Sequence, residues 1–111
     1  MDTIETYRKI VQDTLQQYTT IKYAYGDIYN EALFDIESDR YIIMSVGWQG
    51  MNRVHGCLIH IDIIQDKVWV QRDGTESGIA NELTSNGIPK DHIVLGYKEP
   101  EIRKFTDFAV A

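Results

Sequence analysis

The feature that most constrains this chain is an alternation of apolar and polar residues from Arg40 to Arg72. A period of two is typical of β-strands, because successive side chains of a strand point to opposite faces of a sheet. Turn-forming residues interrupt the alternation at Gln49–Asn52 and at Gln65–Asp66. Strands that follow one another through tight turns usually pair as antiparallel neighbours. The sequence therefore predicts an antiparallel meander with strands over 40–48, 54–64 and 67–72.

Strict alternation also predicts which residues share a face within each strand. In the first strand it places Ile42, Met44, Val46 and Trp48 on one side and Tyr41 and Ile43 on the other. In the second strand it predicts an apolar face and a more polar face. The apolar face consists of Cys57, Ile59, Ile61 and Ile63, and the polar face of Gly56, Leu58, His60 and Asp62, with His55 opposite His60.

The flanking segments predict helices and further short strands. Ile4, Tyr7, Val11, Leu15 and Tyr18 recur at helical spacing, so a helix capped by Asp2 or Thr3 should run to about Thr19. An alternating segment at 33–36 precedes a turn at Ser38–Asp39, and 93–95 is a short extended run. Ile79, Ala80 and Leu83 form the apolar face of a second helix that Gly87 and Pro89 end. We therefore predict one α+β domain over 1–111, a two-layer fold in which the N-terminal helix and the second short helix cover an antiparallel sheet of about four or five strands.

The C-terminal segment is unusual because it ends in Phe108, Ala109, Val110 and Ala111 without a charged side chain. Disordered tails are usually polar, since apolar side chains gain free energy by docking. We therefore expect residues 106–110 to be ordered. Phe108 should pack on the domain or across the interface of a possible homodimer.

The charge balance argues against direct recognition of nucleic acid. The 111 residues include 17 Asp and Glu against 11 Lys and Arg, a net charge of −6. Neutralisation of phosphates by Lys and Arg dominates the affinity of DNA-binding proteins, so no tight DNA binding is expected. The single cysteine, Cys57, cannot form an internal disulfide, and no apolar run is long enough for a membrane span. A cytoplasmic location is the default expectation.

Two groups of residues are candidates for chemistry. His60 and Asp62 lie two apart on one predicted strand, as an oriented general base or a structural pair would. Asp73 and Glu76 stand three apart around Gly74–Thr75, a spacing that matches a helix capping box. Structural roles explain both pairs, so we expect no catalytic residue, no metal and no cofactor.

Aromatic and acidic residues point instead to protein contacts. Trp48, Trp69 and seven tyrosines make the chain rich in aromatics, but few Lys or Arg stand among them as a base-stacking surface would require. The stretch from Asp27 to Asp39 contains five acids and no Lys or Arg. Such a stretch is either a solvated edge or a surface complementary to a basic partner.

Three segments and the tail together resemble the XisI-like family, the excision controlling factors of the fdxN element of cyanobacteria. The segments are 56–63 (GCLIHIDI), 68–83 (VWVQRDGTESGIANEL) and 87–97 (GIPKDHIVLGY), and the tail is 103–111 (RKFTDFAVA). The resemblance covers essentially the whole chain. It implies a role in removing a DNA element during heterocyst development, beside a recombinase and an endonuclease-like protein of the XisH type. It implies no catalytic residue.

The resemblance and the acidity together predict a non-enzymatic accessory factor that acts by binding a protein partner. That partner would be an XisH-type endonuclease-like protein, with a site-specific recombinase as a second candidate. One alternative is an antitoxin-like inhibitor of an endonuclease-like partner, and a minor alternative is a small enzyme that uses His60 and Asp62. The candidate binding surface comprises His60, Asp62, Trp69, Asp73, Thr75, Glu76, Arg103 and Phe108.

Overall fold

The computed structural model describes residues 3–20 and 27–111. These residues form three helices and five strands, with two short 3₁₀ turns at Gln17–Thr20 and Lys90–His92. The elements in chain order are α1 (Thr3–Gln16), β1 (Asp27–Asp35), β2 (Arg40–Gln49), β3 (Asn52–Ile64), β4 (Lys67–Asp73), α2 (Ile79–Ser85), β5 (Ile93–Leu95) and α3 (Pro100–Arg103). None of the helices in this part of the chain is long and apolar enough to cross a membrane.

The strands form one sheet in the order β1-β2-β3-β4-β5. The first four strands pair antiparallel through tight turns, as predicted, and Gln65 and Asp66 both adopt a positive φ in the β3–β4 turn. The chain then crosses over through α2, so that β5 lies parallel to β4 and the sheet is mixed. The predicted α+β class is confirmed.

Both longer helices lie on the same face of the sheet and bury it. Tyr7, Val11 and Leu15 of α1 and Ile79 and Leu83 of α2 are at most 5% exposed. They contact the core face of the sheet, which includes Tyr41, Ile43, Ile59, Ile61, Val68, Val70 and Ile93. The predicted helical stripe is therefore confirmed, and Tyr41 and Ile43 share one face of β2 as the alternation predicts. The predicted cap residue Asp2 lies outside the described residues.

A bidentate ion pair fixes α1 to the β1–β2 turn. The Arg8 guanidinium donates to both carboxylate oxygens of Asp39, at 2.7 and 3.0 Å, and the Tyr41 hydroxyl donates to the same carboxylate at 3.0 Å. The hydrogen bond from Arg8 lowers the pKa of Asp39, and burial raises the pKa of Tyr41 to about 12. The carboxylate and the phenol are thus held in their ordinary charge states at neutral pH.

A β-bulge in β3 overturns part of the predicted face assignment. Met44 pairs with Cys57 but Ile43 pairs with Ile59, so Leu58 is an extra residue. Leu58 packs against the core, whereas Cys57 lies on the same face as His60. The prediction that Cys57 shares a face with Ile59 is wrong. The prediction that His55 lies opposite His60 is wrong for the same reason.

The start of the sheet also differs from the prediction. β1 begins at Asp27, six residues before the predicted strand, and Ile36 lies in the turn with 55% of its surface exposed. Every second residue of β1 is exposed, from Asp27 through Glu31 to Asp35. The acidic stretch is therefore largely one face of a strand at the edge of the sheet.

The C-terminal segment, residues 96–111, docks on its own domain, as the apolar tail predicts. The Ala109 amide donates to the Ile93 carbonyl at 2.8 Å, and Ala109 bridges Val94 in parallel. Phe108 packs against the core cluster, and the Lys90 ammonium lies 6.0 Å from its ring centroid. The tail thus pairs beside β5 through a single parallel bridge.

Two phenylalanines three residues apart give a matched test of this docking. Full burial of a phenylalanine contributes about 1.5–3 kcal/mol, so Phe108→Ala should lower the free energy of unfolding by about 1–2 kcal/mol because its ring is partly buried. Phe105, which is 78% exposed, serves as the control. Phe105→Ala should change stability by less than about 0.5 kcal/mol. Equal effects of the two substitutions in urea unfolding would contradict the docked tail.

Candidate functional site

The structure distributes the eight predicted surface residues over three places. His60, Asp62, Trp69 and Arg103 come together on the sheet face that the helices leave uncovered. Asp73, Thr75 and Glu76 lie in and after the end of β4, before α2. Phe108 lies in the docked tail. The structure thus brings four of the eight residues into one group on the uncovered face.

His60 and Asp62 form a hydrogen-bonded pair on the uncovered face. His60 Nε2 lies 3.0 Å from Asp62 Oδ1, and the Gln71 amide donates to Asp62 Oδ2 at 3.3 Å. The two side chains are 31% and 15% exposed, and Asp62 pairs across the strands with Trp69. Each Asp62 oxygen thus has a polar neighbour within the sheet. This geometry matches a structural pair that fixes the orientation of His60.

Arg103 joins the C-terminal segment to this corner of the sheet. Its guanidinium lies 5.1 Å from the Trp69 ring centroid, a cation–π contact. The same group donates to the carbonyls of Lys98 at 3.0 Å, Leu95 at 3.3 Å and Val110 at 3.3 Å. One side chain thus connects three points of the chain between β5 and the C-terminus.

The backbone at Gly96 lies close against the same corner. A Cβ at Gly96 would stand 2.5 Å from Gln71 Oε1 and 3.2 Å from Trp69 Cε3. A side chain at Gly96 would therefore require the flexible end of Gln71 to move and the Trp69 ring to shift by a few tenths of an ångström. The close approach and the Arg103 contacts together fix the course of the C-terminal segment.

The predicted capping box before α2 is only partly correct. Asp73 Oδ2 accepts the Ile79 amide at 3.0 Å, while Oδ1 accepts the Thr75 amide at 2.9 Å. The helix begins at Ile79 and not near Glu76, because Gly78 adopts a φ of 85° immediately before it. Glu76 is exposed and does not bond the Asp73 amide, so the prediction that it reaches back is wrong. Asp73 caps the helix across a five-residue loop.

The structure shows two groups of apolar side chains at the surface that the sequence analysis did not predict as groups. The C-terminal segment exposes 78% of Phe105 and 47% of both Tyr97 and Ile102. We call these three residues, together with Val110, the C-terminal patch. The second group lies on β1 and β2, and we call it the β1–β2 face. It consists of the exposed Tyr29, Leu33 and Trp48 and the partly exposed Ile42, Met44 and Val46, and the acids Asp27, Glu31 and Asp35 lie on the same side of β1.

Within 3–20 and 27–111, no group of three or more His, Cys, Asp or Glu could hold a metal ion. Burial raises the pKa of the Cys57 thiol, which disfavours the nucleophilic thiolate. At the C-terminal patch, the Lys98 and Lys104 ammonium groups lie 5.5 and 5.4 Å from the ring centroids of Tyr97 and Phe105.

The Asp73 cap can be tested against its neighbour Glu76. Loss of a side-chain cap costs about 0.5–2 kcal/mol, so Asp73→Ala should reduce the free energy of unfolding by that amount. Glu76→Ala removes an equally acidic but unbonded side chain and should change it by less than about 0.5 kcal/mol. Thermal unfolding monitored by circular dichroism measures both. If Glu76→Ala lowered the free energy of unfolding as much as Asp73→Ala does, the result would contradict this assignment and support the predicted capping box.

Comparison with known proteins places the chain in a family. The family model described as XisI protein matches residues 1–110. A XisI-like protein from Anabaena variabilis ATCC 29413 is 36% identical with a TM-score of 0.87, and the alignment covers 99% of this chain and 100% of that one. The fdxN element excision controlling factor XisI from the same organism is 29% identical with a TM-score of 0.81 and the same coverage. No curated protein matches the sequence. The chain belongs to the XisI family.

Proposed function

We propose that this chain is an accessory factor that controls excision of a DNA element by binding a protein partner, without catalysis of its own. Membership of the XisI family supports the excision role, since one structural relative is an fdxN element excision controlling factor. The bonded His60–Asp62 pair supports the non-enzymatic part. Both oxygens of its carboxylate already have polar partners within the sheet.

The C-terminal patch is the observation that carries the binding proposal. Apolar side chains on a flexible tail would lose entropy on binding, which weakens association. Here Arg103 fixes the segment on Trp69, so Phe105, Ile102 and Tyr97 are presented on an ordered backbone. Exposed apolar groups of this kind mark protein interaction sites on soluble domains.

The partner we propose is an XisH-type endonuclease-like protein, with a site-specific recombinase as the second candidate. A DNA-processing protein carries a basic surface for its substrate. The net charge of −6 on this chain complements such a surface and speeds association with it. The accessory factor would thus reach DNA through its partner.

A second function, inhibition of the endonuclease-like partner in an antitoxin-like pair, is favoured by one observation. Asp27, Glu31 and Asp35 lie on one exposed face of β1, where they could occupy a basic DNA-binding surface in place of phosphates. Deletion of this gene alone separates the two functions. A cell that survives the deletion without loss of viability favours the excision role, whereas death that requires the partner gene favours inhibition.

The binding proposal predicts a selective loss with a charge placed in the C-terminal patch. Phe105→Glu should weaken binding to the purified XisH-type protein of the same organism at least about tenfold, because a buried unpaired carboxylate is costly. Met51→Glu is the control, since Met51 is 96% exposed at the β2–β3 hairpin. It should leave the affinity within about twofold. Surface plasmon resonance measures both, and an unchanged Phe105→Glu affinity would contradict the proposed surface.

The charge of the chain generates a separate prediction about DNA. The protein alone should bind duplex DNA with a Kd weaker than about 10⁻⁵ M at physiological salt, because it has no excess of cations with which to release counterions. Fluorescence anisotropy with a labelled duplex tests this directly. Sub-micromolar binding by the isolated chain would show that it contacts DNA without a partner.

A further inference from the structure

A buried valine shows what the C-terminal segment covers. Val94 of β5 is fully buried, yet it does not belong to the core cluster that contains both of its neighbours, Ile93 and Leu95. Alternation along the strand therefore directs Val94 to the side of the sheet that the helices leave uncovered. There it lies beside its cross-strand partner Trp69, and the C-terminal segment is the described element that lies against both.

Few contacts hold this segment on the sheet. Every residue from Gly96 to Ala111 is at least partly exposed, and its main apolar anchor, Phe108, is only partly buried. Its backbone joins the sheet at the isolated bridge of Ala109. The ion pair of Lys90 with Asp107 spans 3.8 Å between exposed side chains, and such pairs contribute little. Local stability depends on buried apolar contacts, so this segment should open more readily than the sheet beneath it.

Arg103 organises the segment internally. Its guanidinium donates to the carbonyls of Gly96 at 3.4 Å and Val110 at 3.3 Å, so both ends of the segment meet at one side chain. Outside the segment, the same group reaches the Trp69 ring and the carbonyl of the preceding residue, Leu95. A short segment whose ends are close and which its own side chains pack forms one compact unit.

We infer that the C-terminal segment is a strap that opens as one unit about Gly96, with the contact of Arg103 on Trp69 as its latch. Glycine permits the backbone rotation that such a hinge needs. The closed strap presents the C-terminal patch, whereas the open strap displaces the patch and uncovers Trp69 and Val94 instead. The segment thus switches the molecule between two apolar surfaces. The inference concerns the chain alone and does not depend on the proposed partner.

Two buried valines on neighbouring strands provide a matched test of opening. Val68 and Val94 are both 0% exposed, but Val68 belongs to the core under the helices and Val94 lies under the strap. Val68→Cys and Val94→Cys would each be made in Cys57→Ser protein, which has no other thiol, and labelled with a thiol reagent under native conditions. Val94→Cys should react at least about a hundredfold faster, because only global unfolding exposes position 68. Equal rates would overturn the inference.

Two adjacent basic residues test the latch. In the Val94→Cys protein, Arg103→Gln should raise the labelling rate at least about tenfold, because it removes the contact with Trp69. Lys104→Gln removes the same charge from the next position, where the ammonium lies near Glu101 and the Phe105 ring. This control should stay within about twofold of the unaltered rate. Equal labelling of the two glutamine variants would rule out Arg103 as the latch and sink the inference.

Hydrogen exchange in the original chain gives a readout that needs no substitution. The Ala109 amide donates to the Ile93 carbonyl at 2.8 Å, and the Ile63 amide donates to the Asp39 carbonyl at 3.0 Å. The Ala109 amide should be at least about tenfold less protected, because opening of the strap breaks its bond while the sheet stays intact. Comparable protection of the two amides would contradict an opening strap, even if a cysteine variant failed to fold.

Discussion

The two longer helices of the described residues, 3–20 and 27–111, cover only one face of the five-stranded sheet. The 14 residues of α1 and the 7 of α2 bury the side that carries Tyr41, Ile43, Ile59 and Ile61. A sheet has two faces, and an apolar face left in water lowers stability and invites association. Which parts of the second face are covered therefore determines which apolar surfaces of the molecule remain exposed.

The C-terminal segment covers one end of that second face, and Arg103 is the residue that keeps it there. Its contact with Trp69 and its hydrogen bonds to the carbonyls of Leu95, Gly96, Lys98 and Val110 hold the segment against the sheet. Phe108 and the Ala109 bridge anchor the far end of the segment. No other element of the described structure packs on the outer side of this short segment. Phe105 and Ile102 are therefore exposed.

Local patterns in the sequence predicted much of the fold, and the failures have identifiable causes. Alternation predicted the hairpins and which residues share a face of β2, and the uncharged tail predicted the docking of Phe108. The extra residue at Leu58 could not be predicted, because a bulge shifts the faces without interrupting the apolar run. The late start of α2 depends on the positive φ of Gly78, which the Asp73–Glu76 spacing does not reveal. For the candidate site, sequence reasoning named Trp69 and Arg103, which the structure brings into contact, but did not name Phe105, because its exposure depends on how the C-terminal segment packs on the sheet.

Footprinting with hydroxyl radicals tests most directly the central claim that the C-terminal patch is a protein contact. The full chain would be labelled alone and mixed with the XisH-type protein, and the oxidation of Phe105 and of the control residue Met51 would be read by mass spectrometry. The account predicts that Phe105 loses reactivity when the partner is added, whereas Met51 keeps it. Equal reactivity of Phe105 in the two samples would contradict the account.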